Sequence, residues 1–190
     1  TGNDELNIVI ASFAKSLGCN KVIARVRDPE HMQQINFIKD VMDIDHIVNP
    51  DLAITVEIYK YLAEKYTLSN GIFSSGKASL IEFSVDKFMT LNEKVHERGK
   101  YNDLQKVMII GGGKTGFYLA KMLSEFGAAV KIIEKSKDRC RYLSSHLDNV
   151  MILHGDATDL NLLEEENLDL MDAVVTATGF DEDNLLLALT

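Results

Sequence analysis

The feature that most constrains the fold is a glycine-rich turn at residues 111–116, which reads Gly-Gly-Gly-Lys-Thr-Gly and fits the pattern G-x-G-x-x-G. The turn follows an apolar segment, 107–110, and precedes a helix-like segment, 117–126, that ends at Gly127. A strand, a glycine turn and a helix in this order are typical of a dinucleotide-binding βαβ unit. In such a unit, free N–H groups at the helix start hold phosphate groups.

An acidic residue stands where this fingerprint requires one. Glu134 directly follows the apolar segment 130–133, and the pattern places such an acid about 20 residues beyond the turn, at the end of the second strand. A carboxylate there hydrogen-bonds the ribose hydroxyls and repels a 2′-phosphate, which favours NAD(H) over NADP(H). The alternative is a glycine turn that only packs, with Glu134 as a solvated surface charge.

Two further strand ends are predicted to face the same crevice, because ligands of such sheets lie across the carboxyl ends of the strands. We expect Asp156 to meet the adenine or ribose, although an ordinary turn residue is the alternative. We expect Thr178 to lie near the pyrophosphate or the nicotinamide. The complete set of candidate cofactor-binding residues comprises the glycine turn and the residues at these strand ends: Gly111, Gly112, Gly113, Lys114, Thr115, Gly116, Glu134, Lys135, Asp156, Ala157, Thr178 and Gly179.

Within the turn, three glycines have separate expected roles. We expect Gly111 to permit the sharp bend, Gly113 to admit the pyrophosphate, and Gly116 to allow close packing of the helix on the strand. The segment that ends in Gly113, Lys114 and Thr115 resembles the end of a P-loop. That motif needs a glycine five positions before its second glycine, where Met108 stands, so a P-loop is not supported.

Arg25 and Arg27 are candidates for a second kind of contact. They flank the end of a short predicted strand, 21–26. Arginines there would bind a phosphate or pair with acids across an interface. The alternative is an ion pair on the surface.

The composition bears on partners and on metal sites. The formal net charge is −9, which repels nucleic acid and anionic membrane surfaces. No apolar run reaches the ~18 residues of a membrane span. The 5 histidines and 2 cysteines show no metal-ligand spacing, so we predict reduced thiols, no metal site and no catalytic residue.

An internal repeat organises the chain. Residues 1–7 (Thr-Gly-Asn-Asp-Glu-Leu-Asn) resemble residues 178–184 (Thr-Gly-Phe-Asp-Glu-Asp-Asn), and apolar residues follow both. The second copy follows a strand-like run, 172–177, whereas the first copy opens the sequence. We interpret the chain as the back half of one repeat, a connection and the front half of the next. Chance similarity is the alternative.

Strand and helix patterns alternate along the sequence, which predicts a doubly wound, Rossmann-like parallel α/β sheet. Helices are predicted over 4–17, 29–42 and 51–65. The first of them is expected to have Asp4 as its N-cap and Gly18 as its stop.

Taken together, these motifs resemble the TrkA family, the peripheral regulatory subunits of Trk-type potassium uptake systems. Members of that family carry two tandem nucleotide-binding units, called RCK or KTN units, each with a small C-terminal α+β subdomain. The resemblance covers nearly the whole chain and rests on motifs in the expected order, at 22–29, 45–50, 107–116, 132–134, 155–157 and 178–184.

The resemblance implies three parts. Residues 1–66 would be the back half of the first Rossmann unit with its linker helix, 67–100 a shortened C-terminal subdomain with an exit helix, and 101–190 the front half of the second, NAD-binding unit. The pattern of 72–85 predicts a strand or hairpin of that subdomain. Because 67–100 is short for such a subdomain, residues are expected to be missing near 86–88.

The resemblance also implies a function: a cytoplasmic protein, peripheral at the inner face of the cell membrane, that gates a Trk/Ktr-type potassium transporter in response to NAD(H) or ATP/ADP. The implied partner is the membrane-embedded transporter subunit, with no enzymatic activity, no nucleic acid and no direct membrane insertion. Because half-units at both ends need partners to complete a sheet, we expect a homo-oligomer, either a dimer or a tetramer. The alternative is a fragment of an NAD-dependent oxidoreductase, for which His154 is the best available base.

Overall fold

The computed structural model describes residues 2–63, 104–179 and Asn184. The expected C-terminal subdomain at 67–100, with its hairpin and exit helix, lies outside the described residues. Among the described helices, none combines the length and the apolar character that crossing a membrane requires.

The first part of the chain is a small α/β layer. Its elements, in chain order, are α1 Asp4–Ser16, β1 Ile23–Arg25, α2 Pro29–Gln33, α3 Ile35–Val41, β2 His46–Val48 and α4 Pro50–Ala63. Strands β1 and β2 pair in parallel. A small core joins α1 to this sheet and contains Ile8, Ala11, Val22, Ala24, Val26 and Ile44.

Two details of this part differ from the sequence prediction. The N-cap of α1 is Asn3, whose side chain accepts a hydrogen bond from the N–H of Leu6, and not Asp4. The helix predicted over 29–42 is divided at Gln34, which ends α2 and precedes α3. At the first of these positions, Asn3 forms the local cap while the Asp4 carboxylate accepts from the N–H groups of Arg27 and Asp28.

The second part is a four-stranded parallel sheet with helices between the strands. Its elements are β3 Lys106–Ile110, α5 Lys114–Phe126, β4 Ala129–Glu134, α6 Lys137–His146, β5 Val150–His154, α7 Leu160–Glu165, a 3₁₀ turn Leu168–Leu170 and β6 Ala173–Thr176. The strand order is β5-β4-β3-β6, with every pair parallel. This is the order of the front half of a Rossmann sheet, so the predicted fold class is confirmed.

Strand β3 lies at the centre of this sheet and is covered on both faces. Val107, Met108 and Ile109 are fully buried, and Ile110 nearly so, as expected for a continuous apolar run in a parallel strand. Val107 and Ile109 face α5, whereas Met108 and Ile110 join the core on the opposite face. The turn that follows β3 is therefore anchored to a buried strand that pairs on both sides.

The two parts of the chain meet along α5. Helix α4 packs beside α5, and the rings of Tyr59 and Phe126 contact edge to face, with 5.7 Å between their centroids. Nearer the start of α5, the hydroxyl of Tyr118 accepts a hydrogen bond from Asn49 Nδ2 at 2.9 Å and donates one to the Arg27 carbonyl at 3.1 Å. Because Tyr118 lies near the start of α5, its hydrogen bonds bring the first part of the chain beside the glycine turn.

Candidate nucleotide site

The glycine turn begins with a residue in the left-handed region. Gly111 has a φ of +107°, and a Cβ there would lie 2.5 Å from the Ala177 carbonyl oxygen. The Gly111 N–H donates to the Ile133 carbonyl at 2.9 Å, and the Ala177 N–H donates to the Ile110 carbonyl at 2.8 Å. The chain thus turns sharply between the carboxyl ends of β3, β4 and β6, at the place where the strand order reverses. In open α/β sheets this is the position of the ligand crevice.

The start of α5 is open toward this crevice. Gly113 is its N-cap and offers no side chain to accept hydrogen bonds, and a Cβ at Gly113 would meet nothing within 4 Å. A Cβ at Gly116, in contrast, would lie 2.0 Å from the Gly111 carbonyl oxygen. The first-turn N–H groups of a helix have no intrahelical acceptors, so this glycine cradle fits a phosphate group, which would approach over Gly113.

Glu134 is held against the turn by two backbone N–H groups. Its Oε2 accepts from Gly112 at 2.7 Å and its Oε1 accepts from Ser136 at 2.6 Å. A Cβ at Gly112 would lie 3.0 Å from Glu134 Oε2 and 2.4 Å from Leu143 Cδ1. Glu134 is therefore a fixed part of the turn and not a solvated surface charge. Each carboxylate oxygen keeps a further lone pair, which fits ribose hydroxyls.

Arg139 also contacts the turn, and the sequence analysis did not name it. Its Nε donates to the Gly112 carbonyl at 2.5 Å and its Nη2 to the Gly113 carbonyl at 3.3 Å. The guanidinium carbon lies 4.4 Å from the centroid of the Tyr142 ring. The available signal was the position of Arg139 in the first turn of the helix that follows Glu134, where a long side chain reaches back to the turn.

Asp156 follows β5 and lies beside Lys135, which follows β4. Asp156 Oδ2 is 2.6 Å from Lys135 Nζ, and Asp156 Oδ1 accepts from the N–H and the hydroxyl of Thr158. Lys135 and these hydrogen bonds lower the pKa of Asp156 to about 2. Ala157 is buried beneath this turn. The structure thus places Asp156 on the Glu134 side of the crevice, where an adenosine would lie.

Thr178 borders the crevice on the other side. Its N–H donates to Asn184 Oδ1 at 2.7 Å, and its carbonyl accepts from Asn184 Nδ2 at 3.2 Å. A Cβ at Gly111 would lie 3.0 Å from the Thr178 nitrogen. The structure therefore brings Thr178 to the glycine turn, whereas Gly179 is exposed.

The two candidate arginines of the first part lie in different places. Arg27 Nε donates to Asp51 Oδ2 at 2.5 Å and Arg27 Nη2 donates to Asp51 Oδ1 at 3.0 Å. This pairing holds the pKa of the Asp51 carboxyl below its usual value, against the opposing effect of burial. Arg27 thus forms an ion pair at the junction of the two parts. Arg25 has an exposed side chain, and its carbonyl accepts from Asn7 Nδ2.

Lys114 and Thr115 face the first part of the chain. Lys114 Nζ lies 3.9 Å from Asp4 Oδ2 and 3.7 Å from Asp28 Oδ2. The Thr115 hydroxyl lies 3.4 Å from Asp51 Oδ1. Of the twelve candidate residues, these two therefore border the crevice and also contact side chains of the first part.

The sheet order, the glycine cradle and the anchored acid define the front half of a Rossmann-type dinucleotide-binding unit. In comparison with known proteins, residues 107–190 match the model of the TrkA-N domain. The whole chain is similar to the Trk system potassium uptake protein TrkA homolog of Archaeoglobus fulgidus, with 30% identity over 237 residues, which cover 100% of this chain and 54% of the relative. The resemblance to TrkA that the motifs indicated is confirmed, and the chain spans about half the length of the curated relatives it matches.

Solved structures agree on the fold. The crystal structure of the GsuK RCK domain superposes with a TM-score of 0.65 and 16% identity, covering 98% of this chain and 50% of that chain. The GsuK channel bound to NAD superposes with a TM-score of 0.64 and 16% identity, covering 98% of this chain and 41% of that chain. At this level of identity, the likeness establishes a shared fold.

Proposed function

We propose that this chain is the nucleotide-binding part of a TrkA-type regulatory protein, which binds NAD(H) in the crevice above residues 111–116 and thereby controls a membrane-embedded potassium transporter. The observation that carries the proposal is the hydrogen bond of 2.7 Å between the Gly112 N–H and Glu134 Oε2, which fixes the ribose-binding acid beside the phosphate cradle. The names of the relatives, Trk system potassium uptake proteins, support the role in potassium transport.

In this proposal each side of the crevice holds one portion of the ligand. The N–H groups that follow Gly113 bind the pyrophosphate, Glu134 binds the adenosine ribose, Asp156 lies at the adenine end and Thr178 at the nicotinamide side. The bound dinucleotide would act on the protein through its phosphate charge and its contact area. Regulation would therefore require only binding and no hydride transfer. ADP and ATP share the adenosine and phosphate groups, so they are the alternative ligands.

Control of a transporter would follow from a population shift. A nucleotide that binds one arrangement of the protein more tightly than another favours that arrangement by its differential affinity. Helix α5 provides the physical connection, because its first turn forms the phosphate cradle and its side packs on α4. We propose that the protein acts as a cytoplasmic homo-oligomer attached to the transporter at the inner face of the membrane.

We also propose the division of the chain into 1–66, 67–100 and 101–190. One observation supports it: among the described residues, the two strands of the first part pair with each other and not with the four-stranded sheet of the second part. The alignment with the Archaeoglobus relative runs over 237 residues although this chain has 190, so that relative carries residues within the aligned stretch that this chain lacks.

The oxidoreductase alternative relied on His154 as a base. His154 lies at the end of β5, on the side where this proposal puts the adenine, with its Nε2 3.1 Å from the Lys135 carbonyl oxygen. Strands β4 and β3 separate it from β6, which leads to Thr178 on the expected nicotinamide side. The geometry therefore favours the regulatory role over the oxidoreductase.

Isothermal titration calorimetry with NADH, NAD, ADP and ATP tests the proposal. We expect saturable binding of NADH, and we expect Glu134→Ala to weaken it roughly tenfold or more, because it removes charge-assisted hydrogen bonds to the ribose. Glu125→Ala, an exposed change at the far end of α5, is the matched control and should bind as the wild type does. In a parallel assay with carbonyl compounds added as hydride acceptors, unchanged NADH absorbance fits the regulatory role, whereas steady oxidation of NADH would favour the oxidoreductase alternative.

A further inference from the structure

The lysine of the glycine turn forms ion pairs with carboxylates from the first part of the chain. Lys114 Nζ lies within ion-pair distance of Asp28 Oδ2, at 3.7 Å, and of Asp4 Oδ2, at 3.9 Å. In a P-loop the corresponding lysine is available to the terminal phosphates of a nucleoside triphosphate and neutralises them. Here the same positive charge is compensated before any ligand arrives.

These carboxylates are held in place by the fold. Asp4 is 7% exposed, and its Oδ2 accepts from the N–H groups of Arg27 at 2.8 Å and Asp28 at 2.7 Å. Asp28 Oδ1 accepts from the Glu30 N–H at 3.0 Å and so caps α2. Neither carboxylate can turn away from Lys114 without breaking backbone hydrogen bonds. The negative charge beside the turn is therefore a permanent feature of this arrangement.

Among the described residues, the other charges on the side of the turn that faces the first part do not offset it. Arg27 is paired with Asp51, whose Oδ1 also lies 3.4 Å from the Thr115 hydroxyl. Arg139 donates to the carbonyls of Gly112 and Gly113 and lies over the Tyr142 ring, so its hydrogen-bonding groups are directed at the backbone of the turn. Within the described ranges, the side facing the first part holds the carboxylates of Asp4, Asp28 and Asp51 and the cations of Lys114 and Arg27.

We infer that Asp4 and Asp28, acting through Lys114, select the ligand by its phosphate charge and favour a dinucleotide over a nucleoside triphosphate. The inference rests on the proposed nucleotide site and specifies its ligand. A dinucleotide carries two phosphate diester charges, which the helix N-terminus and its N–H groups accommodate. A triphosphate brings a further dianionic terminal phosphate, which needs a free cation and instead meets two fixed carboxylates.

Asp28→Asn is the sharpest test, because asparagine still caps α2 while the charge is removed. A like-charge interaction across about 8 Å of water changes binding by roughly twofold for each unit of ligand charge at low salt. We therefore expect the ratio of the ATP Kd to the NADH Kd to fall about fivefold in Asp28→Asn. The titrations need a magnesium-free buffer of low ionic strength, so that ATP keeps its full charge.

Lys114→Gln should move the ratio in the opposite direction, because both carboxylates lose their cation. The double variant Asp28→Asn/Lys114→Gln should return toward the wild-type ratio. Glu125→Gln, on the same helix but distant from the turn, is the charge-matched control and should leave the ratio unchanged. Raising the salt concentration should reduce all these differences, because it screens them.

The outcomes separate this inference from the proposed function. Wild-type binding of NADH tighter than ATP, with the predicted fall of the ratio in Asp28→Asn, supports both. Saturable binding with the same ratio in wild type and Asp28→Asn, or with ATP bound more tightly than NADH in the wild type, overturns the charge selection and leaves the nucleotide site standing. A wild-type protein that binds none of the nucleotides refutes the proposed site, and the inference fails with it.

Discussion

Gly116→Ala and Gly113→Ala test two different functions of one turn. A Cβ at Gly116 would lie 2.0 Å from the Gly111 carbonyl oxygen, well under the 3.0 Å below which a neighbour must shift. The obstacle is backbone held by the strand hydrogen bonds of β3, so the helix start or the turn must move. Overpacking of this kind costs up to about 3 kcal/mol. Loss of one backbone hydrogen bond destabilises the fold by about 1 kcal/mol more. The higher helix propensity of alanine stabilises it by about 1 kcal/mol.

We therefore expect Gly116→Ala to lower the free energy of unfolding by about 3 kcal/mol, which corresponds to a fall in Tm of roughly 6–12 °C for a chain of this length. At Gly113 a Cβ meets nothing within 4 Å. Alanine is a poorer N-cap residue than glycine, but it lowers the conformational entropy of the unfolded chain. Each effect is below about 1 kcal/mol, and the two nearly cancel. Gly113→Ala should thus keep its stability but weaken NADH binding, because its methyl group occupies the approach to the phosphate cradle.

Urea denaturation followed by circular dichroism, combined with calorimetric titration of NADH, measures both quantities. A free energy of unfolding for Gly116→Ala within about 0.5 kcal/mol of the wild type, the spread of ordinary surface changes, would contradict the close packing at Gly116. Equally tight binding of NADH by Gly113→Ala and the wild type would show that the open side of the turn is not the phosphate approach.

Three further predictions concern the junction of the two parts and the core. Tyr118→Phe removes the hydroxyl that bonds Asn49 and the Arg27 carbonyl, and should lower the free energy of unfolding in urea by about 1–2 kcal/mol. Burial is the chief cause that raises the pKa of this hydroxyl to about 12. In an alkaline absorbance titration, Tyr118 should therefore ionise after the exposed tyrosines. Leu143→Ala, at a fully buried residue that contacts the turn, should cost about 2–5 kcal/mol in the same assay, and an unchanged urea midpoint would contradict the assigned packing. Arg27 lowers the pKa of Asp51. The stability from this pair is therefore present above the unfolded pKa of about 3.9 and is lost as the pH falls through the lower folded pKa. Asp51→Asn should remove that part of the acid dependence of Tm, and an acid profile identical to that of the wild type would contradict a stabilising ion pair.

The turn and its acid were predictable because their signals are local. The order of apolar segment, glycines, helix and Glu134 lies within one βαβ unit, and a parallel sheet brings consecutive strand ends to one edge. Asp156 and Thr178 were placed beside the crevice by the same rule. Their assignments to parts of a ligand remain predictions.

The contacts between segments that are distant in sequence were not predictable from one sequence. Asp4 reads as an N-cap because it opens a helix pattern, yet its carboxylate accepts from residues 27 and 28 of another loop, and Asn3 takes the capping role. Lys114 reads as part of a phosphate motif, and only the packing of the first part reveals its acidic neighbours. Arg139 is likewise assigned by a side chain that reaches back across a turn, which no spacing rule specifies.

The edge-to-face contact of Tyr59 and Phe126 also provides an optical reporter. The chain contains no tryptophan, so Tyr59→Trp would introduce a single tryptophan where α4 packs on α5, and its emission can be excited separately from that of the tyrosines. Its emission wavelength depends on the exposure of the indole to water, and hence on how closely the two helices pack. Ligand-dependent movement between the two parts of the chain can then be followed in real time by stopped-flow mixing, without any added dye.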